Sequence, residues 1–196
     1  MQLPGWLNEL DTQAFLAING AHDPILDFIF FWGANKFTWI PFYIWLLYVL
    51  YRNYGKLTLK FFPVILVMIT LTDQLSTLMK NTTERLRPCH EPALDGLVHL
   101  VNNKCGGQFG FVSSHAANTV ALAFFIIMML PRGYKNLRLE LIAFALINIY
   151  SRVYLGAHYP LDVLCGAFLG YLIGLICITF MRNLVNIPST VAKGHE

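Results

Sequence analysis

Long apolar stretches alternate with short polar segments over most of the chain. Five of these stretches, near residues 37–53, 61–79, 114–131, 139–156 and 161–181, approach the length that a helix needs to cross the hydrocarbon core of a bilayer. Because a polar loop or turn separates each stretch from the next, the pattern predicts a bundle of membrane helices. We therefore expect an all-α, integral-membrane fold.

The first part of the chain carries a weaker version of the same pattern. Residues 24–35 are apolar but only about half of a spanning length, so they could enter the bilayer without crossing it or join the next span as a broken helix. Ahead of them, apolar residues at helical spacing predict an amphipathic helix over residues 1–20 that lies at the membrane interface. These residues are Leu3, Leu7, Leu10, Ala14 and Ile18. The bundle should then have about six helices.

Composition supports a bilayer as the surrounding solvent. Of the 196 residues, 56% are hydrophobic and only 13% are charged, whereas soluble domains average about 25% charged residues. The net charge of +3 is too small to indicate a nucleic-acid partner. The first ten residues lack the basic and apolar regions of a cleavable signal peptide, and the length of 1–196 fits one domain.

The distribution of basic residues predicts the orientation of the bundle. Lysine and arginine are frequent in the turns at 51–60 and 131–138 and occur again in the C-terminal tail. Because cytoplasmic loops collect these residues, we expect this side to be cytoplasmic. The 81–113 loop and the 157–160 turn would then be extracytoplasmic.

The four cysteines fall into two pairs. Cys89 and Cys105 flank one polar loop on the predicted outer side; they could pair in an oxidising compartment or remain two free thiols. Cys165 and Cys177 lie in an apolar stretch, where cysteines behave as small inert hydrophobic residues. No Cys-x-x-Cys pair occurs in the sequence, so we expect no zinc site.

Three glycines recur every fourth residue in the last apolar stretch, at Gly166, Gly170 and Gly174. Such small residues let two helices approach closely in a membrane. We interpret the series as a packing surface within the chain rather than as a dimer interface.

Three polar clusters lie at the outer ends of the predicted helices, where charged groups are costly unless they are paired or functional. The clusters cover residues 80–88, 112–118 and 151–162. Each alone has a structural explanation, namely a lysine that reaches the interface, a serine-capped helix, and a His–Asp pair. The alternating topology, however, brings all three clusters to one side of the membrane.

Together the clusters have the composition of a phosphate-binding site with two histidines. Arginine binds phosphoryl oxygens with two parallel hydrogen bonds and lysine adds a point charge. The N–H groups at the start of a helix also attract anions. A histidine held by a carboxylate can act as a nucleophile, and a second histidine can protonate the leaving oxygen. Three cations can balance the charge of the transition state, so no metal is required.

These clusters resemble the three-part signature of the type 2 phosphatidic acid phosphatase (PAP2) family. The matching residues are Lys80-x6-Arg87-Pro88, Ser113-Ser114-His115 and Ser151-Arg152-x5-His158-x3-Asp162. The first and third parts match in full. The second part departs from the usual Pro-Ser-Gly-His of the family, because Val112 and Ser114 replace the proline and the glycine.

The resemblance implies a role for each residue in a cofactor-free and metal-free reaction. His158 would attack phosphorus and become a phosphohistidine, Asp162 would orient it, and His115 would protonate the leaving oxygen and then activate water. The phosphoryl group would be bound by Lys80, Arg87, Ser113, Ser114 and Arg152. The family fold is a six-helix membrane bundle with its site at the outer leaflet, which implies a bacterial inner-membrane enzyme with a periplasmic site.

Two functions remain open from the sequence. The first is a lipid phosphatase, whose substrate could be phosphatidic acid, phosphatidylglycerol phosphate, undecaprenyl pyrophosphate or a lipid A-type phosphate. The alternative is a non-catalytic protein that binds or transports phospholipids with the same cationic pocket. Neither function implies an oligomeric state.

Other charged residues near the clusters are expected to be structural or solvated. Asp73 lies inside the second span, where a hydrogen-bonded structural role is favoured over a place on a route for lipid headgroups. Glu84, Arg85, His90 and His99 belong to the outer loop, and we expect solvent around them.

Overall fold

The computed structural model describes residues 4–184, and over this range the chain forms α-helices and no β-strand. The predicted all-α fold is therefore confirmed. Leu3 and the part of the C-terminal tail after Leu184, which includes Lys193, lie outside the described residues. The helices are α1 (Gly5–Gly20), α2 (Pro24–Gly33), α3 (Ile40–Tyr54), α4 (Phe61–Thr83), α5 (Ser114–Met129), α6 (Lys135–Tyr154) and α7 (Pro160–Leu184).

Each of the five predicted apolar stretches forms one helix, from α3 to α7. By length and composition, two segments of the described chain can cross a membrane, Phe37–Thr83 and Pro160–Leu184. The first contains both α3 and α4, which a 3-10 turn at Gly55–Lys60 joins. Helix α5 is strongly apolar but has only 16 residues. The helices lie where they were predicted. Fewer than five of them, however, are long and apolar enough to cross a membrane on their own.

The sixth candidate span is a bent pair of helices. Helix α2 has 10 residues and is capped by Asp23, whose carboxylate accepts hydrogen bonds from the N–H groups of Ile25 and Leu26. Its axis makes an angle of 111° with that of α1, and the two helices together qualify as a broken span or a re-entrant loop. The N-terminal helix and residues 24–35 thus contribute to the sixth element jointly.

The predicted apolar stripe of α1 is only partly the face that packs on the bundle. Leu10 and Ala14 are exposed, whereas Asp11, Phe15 and Asn19 are buried against α6 and α7. The buried face tolerates polar groups because each finds a partner. Asn19, for example, donates hydrogen bonds to the backbone carbonyls of Tyr154 at 2.7 Å and His99 at 2.9 Å.

The apolar core lies between α3, α4, α5, α6 and α7 and fills the half of the bundle away from the predicted site. Its fully buried members include Phe61, Met68, Phe125 and Met181. This core fixes the relative positions of the helices, so that the opposite ends of α4, α5, α6 and α7 converge.

Helices α5 and α7 approach each other most closely along the glycine series. Gly166 faces the backbone of Ser113, Gly170 faces the backbone of Ala117, and Gly174 faces Ala121. The glycines therefore pack within the chain, which confirms the interpretation made from their spacing. The close approach places the start of α5 directly beside the start of α7.

Candidate active site

The three predicted clusters meet at one end of the bundle. The C-terminal ends of α4 and α6 and the N-terminal ends of α5 and α7 converge there, because successive helices run in alternate directions. The 84–113 loop covers this end, and its backbone pairs with itself through Leu86 and Phe109. All the residues predicted for the site lie in this region.

The start of α5 provides backbone donors and a hydroxyl that contacts a lysine. Ser113 caps the helix, since its Oγ accepts a hydrogen bond from the N–H of Ala116 at 3.3 Å. Ser114, the residue that replaces the usual glycine, hydrogen-bonds through Oγ to Nζ of Lys80. The lysine of α4 is thereby held over the first turn of α5, where the helix dipole favours an anion.

His158 is buried between an arginine and an aspartate. Nη1 of Arg87 lies 3.1 Å from Nε2 of His158, and the same guanidinium donates to the carbonyls of Ala157 and Phe109 at 3.2 Å. Because a guanidinium can only donate, Nε2 must accept and the ring proton resides on Nδ1. Nδ1 faces Oδ2 of Asp162 at 3.5 Å, longer than an ordinary hydrogen bond, and it has no closer partner among the described residues.

This environment keeps the imidazole of His158 neutral. Burial lowers its pKa from 6.5 to about 4; the positive charges of Arg87 and Lys80 act in the same direction, and Asp162 opposes them. A neutral ring with its proton on Nδ1 keeps an unprotonated lone pair on Nε2, which here accepts from Arg87 and which a nucleophile needs.

His115 has a corresponding arginine partner. Nη2 of Arg152 lies 2.9 Å from Nε2 of His115 and also donates to the carbonyl of Ala34 at 2.8 Å. Oδ1 of Asn148 is 3.4 Å from the same ring nitrogen, so α6 contributes a third group that the sequence did not reveal. His115 and His158 lie close enough for their charges to interact. The two imidazoles therefore lie at the same end of the bundle.

Asp162 is bonded to three neighbouring segments of the chain. Its Oδ1 accepts from Nη1 of Arg85 at 2.7 Å, and its Oδ2 accepts from the N–H of Tyr159 at 3.0 Å. Its backbone carbonyl accepts from the N–H of Ser113 at 2.9 Å, which ties α7 to the start of α5. The prediction that Arg85 is solvated is wrong, because its side chain is 10% exposed and also bonds Asp11 of α1 at 2.6 Å.

The remaining loop residues divide between solvent and partners. Glu84 and His90 are exposed, as predicted. His99 is not simply solvated, because its Nε2 lies 2.9 Å from Oδ2 of Asp27 at the α1–α2 bend. Asp73 has the structural partner expected of it, since the amide of Asn118 donates to its Oδ1 at 2.7 Å.

Cys89 and Cys105 form a disulfide in the structure, with a Cα–Cα distance of 6.1 Å. Of the two alternatives that the sequence left open, the bridge is therefore the one observed. It closes the part of the loop that follows Arg87.

Comparison with known proteins gives consistent matches. The profile of the PAP2 superfamily matches residues 61–186. The chain is 38% identical over 168 residues to the lipid A 4'-phosphatase of Bacteroides thetaiotaomicron, covering 84% of this chain and 74% of the relative. It is 31% identical to the lipid A 4'-phosphatase of Porphyromonas gingivalis, over 86% of this chain and 72% of the relative. Phosphatidylglycerophosphatase B of Bacillus subtilis is 30% identical over 86% of this chain and 72% of the relative.

Two solved structures share the architecture. A transmembrane PAP2-type phosphatidylglycerolphosphate phosphatase from Bacillus subtilis aligns with a TM-score of 0.71 at 21% identity, over 93% of this chain and 89% of that chain. Aquifex aeolicus LpxE aligns with a TM-score of 0.64 at 27% identity, over 87% of this chain and 95% of that chain. The bundle is thus a helical transmembrane fold already known among phosphatases.

Proposed function

We propose that this chain, which belongs to the PAP2 superfamily and is an integral-membrane lipid phosphatase, hydrolyses its lipid phosphate through a phosphohistidine at His158. The observation that carries the proposal is the convergence of two histidines and three cations at one end of the bundle. A protein that only bound phosphate would have no need of a neutral imidazole held by a carboxylate.

The geometry supports an in-line displacement. Lys80, Arg87 and Arg152 would hold the non-bridging oxygens, and Nε2 of His158 would attack phosphorus as the P–O bond to the lipid breaks. The electron pair of that bond leaves on the lipid oxygen, which takes a proton from His115. His115 then removes a proton from water, and the resulting attack on the phosphohistidine releases inorganic phosphate and restores Nε2.

A lipid A-type phosphate monoester is the first candidate substrate. The two lipid A 4'-phosphatases have higher identity to this chain than the phosphatidylglycerophosphatase does. The second candidate is phosphatidylglycerol phosphate, because the Bacillus subtilis enzyme still shares 30% identity. Both lipids present a terminal phosphate on a membrane-anchored group, which is the feature that the site recognises.

We place the site on the extracytoplasmic side of the bacterial inner membrane, with the 81–113 loop in the periplasm. The end of the bundle opposite the site carries basic residues, as cytoplasmic ends do; they are Arg52, Lys56, Lys60, Arg132, Lys135 and Arg138. A disulfide in the covering loop is also typical of an oxidising compartment.

Phosphate release from detergent-solubilised lipids tests the proposal. The panel should include lipid A, phosphatidylglycerol phosphate, phosphatidic acid and undecaprenyl pyrophosphate. His158→Gln should abolish release while the protein still binds the lipid, whereas His90→Gln, at an exposed histidine of the 84–113 loop, should not change it. If the folded wild type releases no phosphate from any lipid, the non-catalytic alternative replaces this proposal.

Chemical trapping tests the intermediate separately. During turnover of 32P-labelled substrate, an alkaline quench should leave label on the protein and an acid quench should remove it, because phosphohistidine is acid-labile. Vanadate should inhibit, since it resembles the five-coordinate transition state. A label that survives acid would indicate a serine ester and would contradict the assignment to His158.

A further inference from the structure

We propose that Asp11 and Arg85 are positioning residues of the active site, and that through them the N-terminal helix α1 holds the His158–Asp162 pair. The inference rests on the proposed function, because it assigns to His158 the role of nucleophile. None of the three signature motifs includes Asp11, which lies on α1 and is separated from the first motif by α2, α3 and most of α4.

The three side chains form a carboxylate–guanidinium–carboxylate bridge. Arg85 donates from Nη1 to Oδ1 of Asp162 at 2.7 Å and from Nη2 to Oδ2 of Asp11 at 2.6 Å. The side chains of the two aspartates are 0% and 1% exposed. Such short bonds to a shielded guanidinium fix the carboxylate plane of Asp162, and that plane decides how Oδ2 faces the ring of His158.

Asp11 also completes the start of α7. Helix α7 begins at Pro160, so Asp162 is its third residue and Tyr159 is its N-cap. Asp162 accepts from the N–H of Tyr159 at 3.0 Å, as the acidic residue of a capping box does. Tyr159 has no short polar side chain for the reciprocal bond, and Oδ1 of Asp11 accepts instead from the N–H of Leu161 at 2.9 Å. The N–H groups at the start of α7 are thus bonded by one carboxylate of α7, Asp162, and one of α1, Asp11.

An aromatic pair reinforces the same contact. The guanidinium of Arg85 lies 4.3 Å from the ring centre of Tyr159, a cation–π geometry. The ring of Tyr159 in turn packs edge-on against Phe15, with the ring centres 5.5 Å apart. Phe15 follows Asp11 by one helical turn, so both contacts come from a single face of α1.

The charges explain why two acids are needed rather than one. If Arg85 met Asp162 alone, its charge would draw electron density from the carboxylate that supports His158. Asp11 neutralises that charge and lets Asp162 keep the character of a hydrogen-bond acceptor. The charged and titratable groups that face this pair from the neighbouring elements are Lys80, Arg85, Arg87, Asp11, His115 and Tyr159.

The test compares two neutralising substitutions on the same helix. Asp11→Asn removes the charge but keeps the size, and Glu9→Gln makes the same chemical change at an exposed position. We expect Asp11→Asn to lower kcat on detergent-solubilised lipid A by about tenfold or more, as loss of a supporting contact does. KM should change little, because the groups that bind phosphate remain. Glu9→Gln should behave as the wild type.

A second measurement reports on the His158–Asp162 pair and does not depend on turnover. In protein labelled with 15N-histidine, the ring-nitrogen shifts of His158, assigned from their loss in His158→Gln, report where the proton resides. Wild type and Glu9→Gln should show the proton on Nδ1, and Asp11→Asn should show a mixture of the two tautomers. A purely structural change would alter stability and leave the tautomer unchanged.

The outcomes separate this inference from the proposed function. Unchanged kcat and tautomer in Asp11→Asn would overturn the positioning role even if the wild type is an active phosphatase. A wild type without phosphatase activity would overturn the proposed function. The histidine spectra would still show whether Asp11 determines the tautomer of His158. Asp11→Ser, which retains an acceptor for the N–H of Leu161, serves if Asp11→Asn does not fold. Failure of both to fold would show a structural role and would also overturn the inference.

Discussion

The contact between α5 and α7 should determine both stability and activity, and Gly170→Ala tests it. A Cβ atom built on Gly170 would lie 2.9 Å from Cα and C of Ala117, and closer still to its carbonyl oxygen. These neighbours are backbone atoms of a helix, so they cannot rotate aside. Helix α7 must therefore move away from α5.

The size of the effect follows from that displacement. The closest contact, to the carbonyl oxygen of Ala117, lies well inside van der Waals distance, so the helices must separate by about 1 Å. Overpacking of this kind costs about 1–3 kcal/mol, and the better helix propensity of alanine returns at most about 1 kcal/mol. We expect a net loss of about 2 kcal/mol in the free energy of unfolding, or about 4–8 °C in Tm. Since α5 carries His115 and α7 follows His158, kcat should fall by about tenfold or more.

Gly174→Ala is the matched control for this experiment. Its Cβ would meet Cδ1 of Phe124 at 3.2 Å and the carbonyl oxygen of Ala121 at 3.3 Å, and the Phe124 ring can shift by the small amount required. Thermal unfolding in detergent and phosphate release should show a severe defect for Gly170→Ala and a mild one for Gly174→Ala. Equal Tm and equal kcat for the two variants would refute the argument.

Three further predictions concern the site itself. The folded-state pKa of His158 is about 4, below its ordinary 6.5, so its contribution to stability is complete above pH 6.5 and is lost as the pH falls toward 4. The pH dependence of Tm should therefore weaken in His158→Gln. An unchanged dependence would contradict the lowered pKa of His158. Ser114→Gly restores the usual family residue and frees Lys80 from its hydroxyl partner. KM should fall or stay the same in this variant, and Ser114→Ala should give the same KM. A rise in KM for both variants would show that the hydroxyl binds substrate. Cys89→Ser removes the disulfide to Cys105, which closes a loop of 16 residues, and should lower the free energy of unfolding by about 3 kcal/mol. Reductant should have the same effect on the wild type and none on the variant. A wild type that is insensitive to reductant would indicate free thiols.

The sequence predicts the helices and the residues that meet at the proposed site because both depend on local patterns. Hydropathy places α3 to α7 to within a few residues, and the spacing of the three motifs fixes their positions at helix ends. Alternating helix directions then bring Lys80, His115 and His158 to one side. The glycine series predicts the close approach of α5 and α7, because only small residues at that spacing permit it.

What the sequence does not predict are the partners that come from distant segments. Asp11 and Arg85 are 74 residues apart, and no local spacing relates them. An arginine in a polar loop is usually solvated, so the loop composition gave the wrong expectation for Arg85. On α1, the apolar series through Leu10 competes with a second series at four-residue spacing, Asp11, Phe15 and Asn19. The second series is buried, because its polar members match polar groups of α6 and α7.

The charged side chains that meet at the site predict the form of phosphate that it accepts. Four cations and two carboxylates meet there, and before the proton that His115 donates is counted they leave two positive charges. These groups are Lys80, Arg85, Arg87, Arg152, Asp11 and Asp162. A phosphate monoester carries a charge of about −1.5 to −2 at neutral pH, which this excess balances, whereas the additional phosphoryl group of a lipid pyrophosphate would bring further negative charge without a buried partner. We therefore expect kcat/KM for a lipid monophosphate to exceed that for undecaprenyl pyrophosphate by about tenfold or more, which corresponds to about 1.4 kcal/mol. Measuring kcat/KM for both lipids in the same detergent checks this. Equal values would show that the net charge of the site does not set the preference.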